Sequence, residues 1–105
     1  YEETVLEVIG CERTARGGAV AILAARDTEG LRYVGDARVV LPEPKMKAFW
    51  QAMGMLETVR PVVPTLRRVN AQWSKLGLAA QVRHLRGGPK IQGASLIDIL
   101  ASESD

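Results

Sequence analysis

Residues 76–99 read Leu-Gly-Leu-Ala-Ala-Gln-Val-Arg-His-Leu-Arg, then Gly-Gly-Pro-Lys, then Ile-Gln-Gly-Ala-Ser-Leu-Ile-Asp-Ile. Apolar residues recur with a period of two on both sides of the glycine pair, a pattern typical of two strands joined by a turn. We therefore predict a β-hairpin here, around which the other elements are arranged. In its second strand, alternation places Ile91, Ile97 and Ile99 on one face and Leu96 and Leu100 on the other.

Positive charge is concentrated around this turn. Arg83, Arg86, Lys90 and His84 (when it is protonated) lie within eight residues of one another. A strand pair that ends in positive charge indicates a polyanion as partner.

The charge of the whole chain is unevenly placed, although its net value is only +2. Residues 1–36 carry four basic and seven acidic side chains, whereas residues 37–97 carry ten basic and two acidic ones, a net charge of +8. The field of such a block attracts ligands that carry phosphate groups.

The length of 105 residues predicts a single domain, residues 1–105, whose core needs no metal ion or disulfide. The single cysteine, Cys11, excludes an internal disulfide and favours a reducing, cytoplasmic location. No apolar run has membrane-spanning length, so we expect no membrane partner, and we expect a monomer. Because the chain starts at Tyr1 rather than at methionine, we expect a piece of a longer protein.

The first forty residues predict three strands, of which the second and third form a hairpin. Gly35, in the middle of the third strand, indicates a bulge or a tight bend. The intervening residues 11–18 contain Arg13 and Arg16 and are predicted as a loop, either one that contacts phosphate or a solvated turn. The predicted strands are residues 3–10, 19–26 and 31–40.

A helix is predicted to begin at Pro42, where the missing N–H of proline is not needed. Apolar side chains then recur at helical spacing, and we interpret this stripe as core packing. Residues 60–74 contain two prolines and no sustained period, so we predict an extended connection. In it, Trp73 either stacks on a base or, as we favour, caps one end of the fold. The members of the helical stripe are Met46, Phe49, Trp50, Met53 and Leu56.

The resulting order of elements is three strands, one helix and two further strands. We predict an all-β fold with one helix, namely a five-stranded OB-fold barrel with the helix between strands 3 and 4. Closure of the sheet removes the exposed edges that short strands otherwise leave. This barrel is a common nucleic-acid-binding fold, although five aromatic residues are too few for a wide stacking platform.

The sequence contains no recognisable catalytic constellation. One histidine and one cysteine give no zinc-site spacing, and no glycine-rich phosphate loop precedes a lysine and a helix. We interpret His84 as a surface or barrel-rim residue. Arg13 is close enough in sequence to lower the pKa of Cys11, but we expect an inert thiol. This chain alone is therefore not expected to catalyse a reaction.

Three segments resemble the C-terminal OB-fold domain of ATP-dependent DNA ligases. Residues 30–35, Gly-Leu-Arg-Tyr-Val-Gly, followed by Ala-Arg-Val at 37–39, resemble its Leu-Arg-Tyr-(Val/Ala)-Gly strand. Trp73 and residues 78–87 are similar to its tryptophan and Val-Arg-(Tyr/His)-Leu strand, and residues 90–96 to its last strand, Leu-Arg-His-Ala-(Ser/Thr)-Leu. The resemblance covers nearly the whole chain and is greatest to bacterial ligases related to the end-joining type used in DNA repair.

This resemblance implies a DNA-binding domain rather than a complete enzyme. It implies an upstream nucleotidyltransferase domain in cis that carries the adenylated lysine and binds ATP and Mg²⁺, while this domain has no cofactor of its own. The implied partner is nicked double-stranded DNA, gripped across the minor groove opposite the nick. The positions expected to contact DNA phosphates are Arg13, Arg16, Arg32, Arg38, Arg83, Arg86 and Lys90.

The end of the chain departs from the family pattern. Such ligases commonly end in an Arg-x-Asp-Lys motif that orients the pyrophosphate leaving group, whereas residues 99–103 here read Ile-Leu-Ala-Ser-Glu. Three interpretations follow: Lys90 or Arg86 replaces the motif, the first chemical step is weakened, or the chain is a diverged binding module. The alternative functions are accordingly a protein-interaction module and an RNA-binding OB module without a ligase role.

Overall fold

The computed structural model describes residues 1–63, 66, 68, 70–85 and 90–101. Within these ranges the chain forms strands and one helix, α1 (Glu43–Met55), which lies between the third and fourth strands. The predicted class, mostly β with one helix, is therefore confirmed. The strands are β1 (Glu2–Arg13), β2 (Ala19–Asp27), β3 (Gly30–Val39), β4 (Glu57–Thr58), β5 (Gln72–Ser74), β6 (Leu78–Leu85) and β7 (Gln92–Ala101).

Five of these strands form a closed ring in the order β1–β2–β3–β7–β6 and back to β1. Four of the pairings are antiparallel, and the fifth is a short parallel pairing in which Arg38 and Val39 of β3 lie beside Ser95 and Leu96 of β7. The short strands β5 and β4 extend the sheet outward from β1. These two were not predicted, because strands of two or three residues are too short to show a period.

The ring encloses a hydrophobic cluster to which α1 contributes Phe49 and Met53, both fully buried. The helix follows Pro42, as predicted, and Met46 N–H donates the first helical hydrogen bond to the Pro42 carbonyl. The apolar stripe of this helix is therefore core packing, as its spacing predicted.

The second strand of the 76–99 hairpin differs from its predicted pattern. Ile97 has no partner on β6, because Leu96 and Asp98 pair with consecutive residues of that strand. This bulge reverses the alternation, so that Leu96 and Ile99 both pack in the enclosed cluster while Leu100 is 41% exposed. The predicted division of faces was wrong because the extra residue of a bulge cannot be recognised from the sequence of a short apolar run.

We call residues 59–76 the strap, and its described apolar residues pack on the outer face of the ring. Their described side chains form a second cluster in which Val63 and Trp73 pack against Ile9, Ile22 and Ala24 of β1 and β2. The role predicted for Trp73, capping one end, was wrong. Its pairing with Gly10 holds Trp73 against the outer face of the sheet instead.

Gly35 provides a test of the tight bend in β3. It has φ +136°, and a Cβ at this position would lie 2.8 Å from Ile91 Cγ1. We expect Gly35→Ala to lower the free energy of unfolding by about 1–3 kcal/mol, measured by urea denaturation. The control is Gly54→Ala, where a Cβ meets nothing within 4 Å and α1 gains helix propensity. Equal stabilities of the two variants would contradict the strained bend.

Candidate nucleic-acid interface

Two of the predicted DNA-contacting arginines lie in one row across three neighbouring strands. Arg38 of β3 pairs with Ser95 of β7, and Ser95 pairs with Arg83 of β6. Directly opposed residues of a sheet point to the same face, and the following residue Leu96 is fully buried, so the row lies on the outer face. The two arginine Cα atoms are two strand spacings apart, about 10 Å. We call the outer face of β3, β7 and β6 the arginine wall.

The arginines of this wall are available to an anion. Arg38 is exposed and forms no ion pair among the described residues. Arg83 lies 3.5 Å from Glu3 of β1, with the two side chains 52% and 43% exposed. An ion pair so open to solvent is worth little, so a phosphate group can replace the carboxylate.

A shallow depression of about 310 Å³ lies beside Arg83 and Ser95 on the same wall. Its other lining residues are small or apolar: Tyr1, Val40, Gly93 and Ile97. Such a surface suits the sugar faces of a nucleic-acid backbone, while arginines suit its phosphates.

Arg32 and Lys90 lie apart from this row. Arg32 projects from β3 on the side opposite to Tyr33, which packs in the second cluster, and it forms a 3.5 Å ion pair with Asp27 at the end of the β2–β3 hairpin. Lys90 Nζ lies 5.3 Å from the centroid of the Tyr33 ring. The two cations thus flank the start of β3, one on each face.

Arg13 and Arg16 lie where β1 joins β2. The Arg13 guanidinium stacks on the Trp50 ring of α1, 4.0 Å from its centroid, while Arg16 is exposed in the turn. The predicted loop 11–18 was too long, because β1 continues through Arg13 paired with Ala19. The Gly17 and Gly18 amides donate hydrogen bonds to Thr14, so they are not available to a phosphate group. This favours the solvated turn over a loop that contacts phosphate.

The remaining cations of the predicted hairpin cluster do not extend the wall. Arg86 lies outside the described residues. His84 is buried rather than at the surface, and its backbone pairs with Glu2 at the start of β1. Its Nε2 lies 2.9 Å from Thr4 Oγ1, and its Nδ1 lies 3.0 Å from the Leu85 carbonyl oxygen.

Among the described residues, Arg68 of the strap has the most side-chain hydrogen bonds, and it was not among the predicted site residues. Its guanidinium donates to Glu12 Oε1 at 2.7 Å, to Asp36 Oδ2 at 2.8 Å and to the Tyr33 hydroxyl at 2.7 Å. The hydrogen bonds to Asp36 raise the pKa of Arg68, and burial raises the pKa of Tyr33. The sequence around Arg68 follows no period that would indicate its partners. Glu12 of β1 and Asp36 of β3 are brought near each other only because both strands pair with β2.

The Cys11 thiol is buried in the enclosed cluster, and burial raises its pKa to about 11. This effect of burial is larger than that of the nearby Arg13 charge, which lowers the pKa of the thiol. We expect Ellman's reagent at pH 8 to leave native Cys11 unmodified, because the reactive thiolate is scarce and shielded. Reaction should begin only as urea unfolds the chain; rapid modification of the native protein would contradict this burial.

No helix in the described part of the chain is long and apolar enough to cross a membrane. Across the same described ranges, no group of three or more His, Cys, Asp or Glu side chains is placed to hold a metal ion. The ATP and Mg²⁺ that the ligase resemblance implies for an upstream domain remain a prediction.

The chain is similar in fold to a known structure. No family model and no curated protein matches the chain. The crystal structure of the ligase domain from M. tuberculosis LigD matches over 93% of this chain with a TM-score of 0.74 and 19% sequence identity. The chain spans 35% of the length of that structure. It therefore shares its fold with one part of a ligase domain.

Proposed function

We propose that this chain is the OB-fold, DNA-binding domain of an ATP-dependent DNA ligase, which holds nicked duplex DNA through phosphate contacts. The closed ring of five strands, with the helix following the third of them along the chain, supports the OB-fold part of this proposal. The fold similarity to the LigD ligase domain and the ordered sequence segments at 30–39 and 78–96 both support this family.

The observation that carries the proposal is the row formed by Arg38 and Arg83. These residues belong to two of the ligase-like segments, far apart in sequence, and parallel pairing of β3 with β7 brings them onto one exposed wall. Cations gathered in this way from separate strands give a local concentration of positive charge, which suits the phosphates of a nucleic-acid backbone better than a scattered, solubilising distribution does.

In the proposed parent enzyme this domain has a positioning role. The upstream nucleotidyltransferase domain would bind ATP and Mg²⁺ and carry the adenylated lysine. The wall would hold the duplex so that the nick meets that domain. The larger size of the LigD ligase domain, of which this chain matches 35%, supports such a division.

Fluorescence anisotropy with a labelled nicked duplex tests the proposal. We expect weak binding that falls steeply with salt, and we expect Arg38→Gln/Arg83→Gln to lose about tenfold in affinity at 0.1 M salt because phosphate contacts release counterions. Arg60→Gln is the matched control, since Arg60 is exposed beyond β4, away from the wall. Affinity that does not depend on salt, or an equal loss in the control, would contradict the proposal.

A protein-interaction role is the second candidate, favoured by Met55 and Val59. These side chains are 85% and 92% exposed and flank the edge strand β4. NMR chemical-shift mapping separates the candidates: DNA should perturb Arg38, Arg83 and their neighbours. Perturbation confined to α1 and β4 would favour docking of another protein there.

A further inference from the structure

We infer that Arg38, Ser95 and Arg83 form a seat for one phosphate group, so that both guanidinium groups bind the same phosphate rather than two successive ones. This inference rests on the proposed function and names the contact by which the wall binds DNA. Ser95, which was not among the predicted DNA-contacting residues, becomes the central residue.

The register of the sheet places Ser95 in the middle of the seat. It is opposed by Arg38 on one side and by Arg83 on the other, and all three side chains leave the same face. With about 10 Å between the outer Cα atoms, two extended arginine side chains are long enough to meet above the central strand. Each planar guanidinium can donate two parallel hydrogen bonds to one phosphate.

The surroundings of Ser95 allow an anion to approach the sheet. Its hydroxyl is a donor that a phosphate oxygen accepts, and it is partly exposed at the side of the depression. Gly93 lines the same depression and is exposed, and it has no side chain of its own, although the Leu85 side chain lies beside it, 3.2 Å from where a Cβ would be.

Glu3 limits the seat to one phosphate. Glu3 lies on β1, opposite Arg83 of β6, and therefore continues the row by one strand. Its carboxylate forms the ion pair with Arg83 described above. A second phosphate on the β1 side would meet this carboxylate, and like charges at contact distance repel. The positive part of the row therefore spans only β3, β7 and β6.

The salt dependence of DNA binding distinguishes one shared phosphate from two. The slope of log K against log salt changes by about 0.9 for each phosphate contact removed from duplex DNA. We expect Arg38→Gln/Arg83→Gln to reduce the slope by about 0.9, whereas two separate contacts would give about 1.8. A reduction near the larger value would overturn the shared seat. Arg60→Gln should leave the slope unchanged.

Titration with inorganic phosphate, followed by NMR, tests the seat without DNA. We expect saturable shifts of the Ser95 amide and of the Arg38 and Arg83 Nε–H groups, and we expect Arg38→Gln to weaken the shift at Arg83. Ser95→Ala should weaken binding several-fold while the amide spectrum shows an intact fold. The inference would be overturned if phosphate shifted the Arg60 signals by an equal amount, or if the shift at Arg83 were the same in the Arg38→Gln variant as in the wild type.

Two kinds of DNA phosphate have the required chemistry, an internal phosphodiester and the 5′-phosphate at a nick. Binding measurements on different DNA substrates distinguish between them. If the seat binds an internal phosphodiester, Ser95→Ala should weaken binding equally to intact duplex and to nicked duplex. If it binds the 5′-phosphate at the nick, the loss should appear only with a 5′-phosphorylated nick and not with a 5′-hydroxyl. Both results support the seat, and no loss on any substrate overturns it. Failure of the wild type to bind DNA would instead overturn the proposed function, while the phosphate titration still decides the seat.

Discussion

Phe49→Ala is expected to lower the free energy of unfolding by about 3–5 kcal/mol, a large share of the stability of a domain of this size. Phe49 is fully buried in the cluster that the ring encloses, and its ring packs edge-on against Trp50 with centroids 5.3 Å apart. Truncation leaves a cavity between α1 and the strands, which close packing elsewhere prevents from collapsing. Urea denaturation followed by tryptophan fluorescence measures the loss.

Met55→Ala is the matched control on the same helix. Met55 is 85% exposed, so its truncation removes little buried surface and should change stability by less than about 0.5 kcal/mol. If Phe49→Ala proved as mild as this control, α1 would not be packed into the ring, and the enclosed cluster described above would be incorrect.

Arg68→Ala is expected to lower the free energy of unfolding by about 2–4 kcal/mol, somewhat less than for a fully buried pair because Arg68 is 23% exposed. The change removes the cation that neutralises Glu12 and Asp36 together, and it leaves the two carboxylates close to each other in a partly buried place. It also releases the strap from β1 and β3.

Thermal unfolding and limited proteolysis together measure this effect. Arg68→Ala should lower Tm and speed cleavage within the strap, because the second cluster loses its polar anchor. Arg60→Ala removes an exposed arginine from the same strap and should do neither. A variant at Arg68 that keeps the wild-type Tm would show that apolar packing of Val63 and Trp73 alone holds the strap.

The strong periodicities of the sequence predicted the principal elements of the fold. The helical stripe around Phe49 and the alternation before Gly87 correspond to α1 and β6, and Gly35 lies opposite the shift in register between β2 and β3. The face of Leu96 was predicted wrongly because a bulge depends on the partner strand. The position of Trp73 was also missed, since β5 exists only through its pairing with β1.

The candidate site was only partly predictable for the same reason. Charge density pointed to arginines, and Arg38 and Arg83 do share a wall; Arg32 projects from the opposite face of β3, and Arg13 stacks on Trp50. Ser95 lies in the segment that resembles the last strand of the ligase domain, but a single serine in a strand does not by itself indicate a binding role. Its importance comes from the two strands beside it, which no local pattern specifies.

The parallel contact between β3 and β7 has a consequence for synthesis on the ribosome. β7 is the last of the described strands, and it alone joins β3 to β6. The nascent chain therefore exposes an unpaired edge of β3 throughout translation of the helix and strap, and the domain acquires its final stability only after β7 leaves the exit tunnel. Such late, non-local closure favours slow folding and makes recruitment of a chaperone to the open edge advantageous.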